Sequence, residues 1–230
     1  TFIDAYESMV KPADDKNLPA DEQKRLGLVR LELSQGRPTL VETDLTKGTD
    51  EDRAIIKHVF AAANAIERIH GKQLGTDTME AKDAASKALI HRNQGPFCVA
   101  PKTEKDEGCT AIAPKPKQLS GLYPAAVQAD AKFCDKLAKE KNAKGLMGHF
   151  SAVVADGAGF KAVPYSEFYK ADMESVATSR EAAANAITSP GEAAFQKYLR
   201  AAATSFRTND WEPANEAWVA MGPTNPKWSL

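Results

Sequence analysis

Between Thr49 and Gly71 apolar side chains recur at helical spacing: Ile55, Ile56, Val59, Phe60, Ala63, Ile66 and Ile69. Thr49 is placed to cap this helix, and Asp50, Glu51 and Asp52 put carboxylates into its first turn, where the helix dipole favours them. Gly71 is the expected stop. A helix this long with an apolar stripe has to be covered by other elements, so the chain folds around packed helices.

The flanking segments repeat the pattern. Phe2 to Val10 reads as a short helix ended by Lys11-Pro12, and about Thr78 to His91 as another that stops before Gly95-Pro96. Residues 21–42 are ambiguous. Leu26, Val29 and Leu33 suit a helical face, while Val29, Leu31 and Leu33 alternate with Arg30, Glu32 and Ser34 as a strand would, and Pro38 ends either element. A helix from about Ala125 to Glu140 would place Cys134 on one face with Val127, Ala131 and Ala138, as a buried thiol. Phe150 to Ala155 and Gly159 to Val163 flank Asp156-Gly157-Ala158-Gly159, which predicts a β-hairpin around 149–163. Pro164 then opens a long helix to about Ile187. Ser189-Pro190-Gly191-Glu192 reads as a capping box with proline at the first helical position, opening a helix with Phe195, Leu199, Ala202 and Phe206 on one face. A last short helix runs near Pro213 to Met221. The predicted class is mainly α: a multi-helical lobe, 1–230, with one small hairpin. Residues 1–44 form its N-terminal segment and 94–124 a long Pro-rich loop.

Pro96, Pro101, Pro114, Pro116 and Pro124 rule out a continuous helix or central strand in that loop. A loop so long in a compact domain is functional, stapled or disordered. Cys98 and Cys109 flank its polar centre. They are either a disulfide or two free thiols in a reducing compartment, and the staple is preferred because exposed free thiols are a liability. An oxidised pair implies a secreted or periplasmic protein. The chain opens at Thr1 without an initiator Met or an apolar leader, which suggests that a targeting segment has been removed or the chain cut short.

Basic and acidic side chains nearly cancel, at a net charge of -1, which argues against a dedicated nucleic-acid partner. No apolar run approaches the length of a membrane span. None of His58, His70, His91 or His149 is followed by Glu, so the paired-histidine zinc motif is absent. Glu67 and His70 have the spacing of half a di-metal site, but a di-iron bundle needs two such pairs and two further glutamates. There is no Gly-x-Ser-x-Gly elbow and no phosphate loop. No residue is therefore assigned a catalytic or metal-binding role, and no cofactor is expected on this chain. Trp211, Trp218 and Trp228 gather near the C-terminus, where the sequence ends in an irregular tail, and are candidates for packing against a second polypeptide.

Val163-Pro-Tyr-Ser-Glu-Phe-Tyr-Lys170, Phe195-Gln-Lys-Tyr-Leu-Arg200, Thr208-Asn-Asp-Trp211 and Ala217-Trp-Val-Ala-Met221 together resemble segments of dipeptidyl-peptidase III-like zinc metallopeptidases. The Glu51–Gln73 helix and Gly121-Leu-Tyr-Pro124 precede them in the same order, so the resemblance covers about residues 45–225. It implies a helical N-terminal lobe forming one wall of a peptide cleft. It also implies that zinc and its ligands come from polypeptide absent here, whether the remaining catalytic half or a second chain. The competing expectation is a stand-alone, non-enzymatic binding or scaffold protein.

Overall fold

The computed structural model describes residues 1–11, 15–36, 39, 41–222 and 227. Pro12, Pro38 and Trp228 lie outside them. In chain order the elements are α1 (Phe2–Val10), α2 (Ala20–Ser34), α3 (Asp50–Leu74), α4 (Ala84–Asn93), a 3-10 turn (Ala125–Val127), α5 (Phe133–Leu137) and α6 (Ala143–Leu146). There follow β1 (Ser151–Asp156), β2 (Gly159–Pro164), α7 (Tyr165–Phe168), α8 (Lys170–Ala186), a second 3-10 turn (Pro190–Glu192), α9 (Ala193–Thr208) and α10 (Glu212–Val219). The protein is mainly α with one small antiparallel hairpin, the fold class the sequence predicts.

The chain divides into two compact units, each built from two stretches of sequence: Thr1–Glu42 with Gly71–Ser120, and Thr43–His70 with Gly121–Leu230. No linker marks the division, and α3 is shared, its last turn belonging to the first unit.

In the first unit α2 packs on α1 and α4. The ambiguous segment is helical as far as Ser34, because Val29 and Leu33 meet Ala85 and Leu89 in one core while Leu31 turns to solvent. The expected helix at Thr78 starts later. Asp83 caps it by accepting from Ser86 N at 2.8 Å, and Gln94 ends it in the left-handed region at φ 53°.

In the second unit α8 lies along α9, and α10 covers α9. Ala62, Ala65 and Ile69 of α3 join Tyr169, Met173, Val176 and Ala177 of α8 and Ala203 and Phe206 of α9 in one core. Alanines at the contact points allow close helix packing. A neighbouring core joins Ile55, Ala183, Ala184, Ile187, Phe195 and Leu199. The hairpin pairs Ser151 with Pro164 and Asp156 with Gly159, and Gly157 takes the positive φ of 57° that the turn requires. Phe133, Leu137, Leu146 and Val153 form a small core beside it. The predicted helix over 125–140 is instead a 3-10 turn and the five-residue α5. Phe133 and Leu137 take the buried positions, which leaves Cys134 exposed, not buried as its helical face suggested.

Candidate functional site

The tryptophans predicted to meet a partner occupy different surroundings. Asn209, in the left-handed region at φ 64°, ends α9, and its Nδ2 donates to the Phe150 carbonyl at 3.1 Å. That turn delivers Trp211 between rings of this chain, 4.9 Å from Phe206 and 5.6 Å from Phe150. Trp211 Nε1 and Asn209 Oδ1 are buried and find no hydrogen-bond partner among the described residues. Trp218, seven residues on, leans on Tyr198 at 5.2 Å and is 41% exposed beside the more exposed Val219. The aromatic group continues through Tyr165, Tyr169 and Phe168. Burial, with a smaller effect of nearby Tyr123, pushes the Tyr165 hydroxyl above its ordinary range.

In the first unit Cys98 and Cys109 form a disulfide with Cα atoms 5.8 Å apart. Phe97 pairs with Thr110 in a single antiparallel bridge, and Ala111 N donates to Pro96 O at 2.8 Å, so the loop is closed by backbone and by sulfur. What holds the rest of it is Glu32. This carboxylate is completely buried on α2. Its Oε1 accepts from Arg92 Nη2 at 2.8 Å, Asn93 Nδ2 at 3.0 Å, Val99 N at 3.1 Å and Ala100 N at 3.2 Å. Its Oε2 accepts from the Thr103 hydroxyl and from Ala100 N. Gln35, one turn on, accepts from Lys102 N at 2.8 Å and donates to Thr103 Oγ1. Burial alone would raise the pKa of Glu32. The bonds from Thr103, Asn93, Val99 and Ala100 outweigh it and hold the carboxyl below its usual range.

Glu32, Cys98 and Cys109 are also the one group of three possible metal ligands among the described residues whose donor atoms lie within 4.8 Å of one another. The sulfurs are bonded to each other, so neither is available as a thiolate, and the trio does not fit zinc. His70, His91 and His149 are exposed and His58 is half-buried, and none stands in such a group. Glu67 and His70, the half-motif, both lie exposed on α3.

At the start of α3 Thr49 caps the helix as the sequence predicts, and the bonds close a reciprocal box: Asp52 N donates to Thr49 Oγ1 at 3.1 Å and Thr49 N to Asp52 Oδ2 at 2.9 Å. The box read at Ser189 does not form, since Ser189 makes no side-chain cap. Glu51 takes its place: Oε2 accepts from Thr188 N at 3.0 Å, Thr188 Oγ1 at 2.5 Å and Ser189 N at 3.1 Å. Asp52 also pairs with Lys227 Nζ at 2.6 Å, and this bond, foremost, lowers the carboxyl's pKa.

Two solved structures have a similar fold. Dipeptidyl-peptidase III from Corallococcus sp. strain EGB superposes with a TM-score of 0.71 at 20% sequence identity, covering 90% of this chain. DPP III from Caldithrix abyssi gives 0.66 at 17% identity over 84%. The fold is that of part of a dipeptidyl-peptidase III. In both cases the match spans 38% of the other protein's length. No family model matches the sequence, and no curated protein does. The likeness is therefore one of fold.

Glu32, Glu51 and Lys227 were not singled out in the sequence. Glu32 alternates with Leu31 and Leu33 and so reads as a solvent-facing strand position, and nothing local points to the loop it holds some 70 residues away. Glu51 reads as one of three first-turn acids. Nothing in its neighbours announces Thr188.

Proposed function

We propose that this chain is the N-terminal helical part of a zinc-dependent exopeptidase resembling dipeptidyl-peptidase III, and that it forms one wall of a peptide cleft. The observation that carries the reading is the pair of fold matches that fill 90% and 84% of this chain but 38% of each dipeptidyl-peptidase III. On this reading zinc and its ligands belong to polypeptide outside this sequence, either the remaining catalytic half or a second chain. Zinc bound there would polarise the scissile carbonyl and lower the pKa of its water. The contribution of this chain is to orient the peptide and exclude water, with Tyr165, Phe150 and Phe168 as exposed or half-buried aromatic surface. The disulfide supports an oxidising compartment, secreted or periplasmic.

Intact-mass measurement of the native protein, with zinc analysis and a dipeptidyl substrate, tests the reading. The expected result is a zinc-containing species larger than this chain, or a two-chain complex, that releases dipeptides, while residues 1–230 alone release none. A native polypeptide of this mass with no partner, no zinc and no cleavage would replace the peptidase by a stand-alone binding protein.

A further inference from the structure

Arg180 occupies a place on α8 that the helical pattern reserves for an apolar side chain. Met173, Val176, Ala177, Ala183, Ala184 and Ile187 are the buried stripe of this segment, and Arg180 falls at the i+3 and i+4 positions between them. The side chain is half-buried. Its guanidinium carbon lies 5.9 Å from the centre of the Tyr198 ring and 5.5 Å from that of Phe206. These residues stand two turns apart on α9 with Ala202 between them, so a small side chain floors a slot walled by two rings. Trp211 packs on Phe206, and Trp218 on Tyr198.

The slot holds a cation without a counter-charge. Arg25, Arg30, Arg53, Arg68, Arg92, Arg200 and Arg207 each donate to a carboxylate or an amide oxygen. Among the described arginines Arg180 alone makes no hydrogen bond or ion pair, and its Nε is buried without an acceptor. The adjacent Glu181 is engaged by Arg207 at 2.5 Å. Ring faces attract the guanidinium charge, but they accept none of its five planar donors in the fork geometry that suits a carboxylate. A merely solvated arginine needs neither the apolar stripe nor the rings.

We infer that Arg180 is a binding site for a carboxylate carried next to an apolar group, with Tyr198 and Trp218 receiving the apolar part and the buried Phe206 backing the guanidinium. This goes beyond the peptidase reading and does not depend on it, since the slot is complete within this chain.

Binding is tested on the full chain by titrating N-acetyl-phenylalanine, N-acetyl-phenylalaninamide, and N-acetyl-aspartic acid amidated at its α-carboxyl, followed by calorimetry and tryptophan fluorescence. The two acids distinguish a peptide terminus from an acidic side chain as the source of the carboxylate. Binding of either acid, with the neutral amide at least about tenfold weaker and the R180M variant equally impaired, supports the site. R180K, which keeps the charge and loses the planar fork, is expected in between. Equal response to acid and amide, no binding of either acid, or undiminished binding by R180M overturns it. If R180M does not fold, the acid–amide comparison on the wild-type chain decides alone.

Discussion

Arg92 Nη2 lies 2.8 Å from Glu32 Oε1, yet the carboxylate is completely buried while the arginine is partly exposed. The pair is thus one contact in a larger arrangement, in which backbone amides and the Thr103 hydroxyl complete the coordination of a buried charge. Removing the acid leaves those donors facing one another. Glu32→Ala is expected to destabilise the protein by about 3–5 kcal/mol, the range for breaking a buried charge network by deleting one partner. Urea unfolding measures it, and a loss below about 1 kcal/mol would mean that water replaces the carboxylate.

The same residue gives a signed pH dependence. Its folded pKa lies below the unfolded value of about 4.3, so its stabilisation is complete above that pH and is lost as pH falls through the folded pKa. Unfolding midpoints of the wild type and Glu32→Gln, measured from pH 6 downwards in steps of roughly half a unit, should converge at the acid end. Parallel curves would show that Glu32 does not titrate differently on folding.

Closing a loop of this length by the Cys98–Cys109 bond contributes about 3 kcal/mol in the chain-entropy account. A Cys98→Ala, Cys109→Ala double variant is expected to lose about 2–4 kcal/mol in denaturant unfolding. Phe97 and Thr110 would still pair, so the loss should come without a change in helical circular dichroism.

Cys134 supplies a quick check of the short α5. Because it is exposed, one thiol per chain should react with a chromogenic disulfide reagent in native buffer. No reaction before denaturation would restore the longer, burying helix.

The two described tryptophans separate by their surroundings. Trp211→Ala removes a ring held between Phe206 and Phe150 and is expected to cost about 3 kcal/mol or more, as large aromatic truncations do. Trp218→Ala, at a 41% exposed ring, should cost about 1 kcal/mol in the isolated chain. If the proposed catalytic polypeptide docks there, the cost should grow when it is present.

What could be read in the sequence was what local chemistry decides. The cap at Thr49 and the Asp156-Gly157 turn bring their partners within a few residues, so the start of α3 and the hairpin appear where expected, while α3 runs past the expected stop at Gly71 to Leu74. At Ser189 the same local signal lost to Glu51, an acceptor nearly 140 residues away. α2 was ambiguous because an acid buried at position 32 breaks the apolar pattern by which its inner face would be recognised. Arg180 was invisible for a related reason: a charged side chain inside an alanine-rich helix reads as surface until Tyr198 and Phe206 are seen around it.

The interleaving of the two units sets the order in which the protein can be made. The first unit needs residues up to Ser120 before its core is whole, although α2 is complete by Ser34. The part of α3 in the second unit emerges long before α8 and α9, which cover its apolar face. At about 5–20 residues per second, the nascent helix stays uncovered for several seconds or more while the remaining chain is synthesised. Ile55, Ala62, Ala65 and Ile69 therefore face solvent throughout that interval, the stage at which exposed apolar surface favours aggregation.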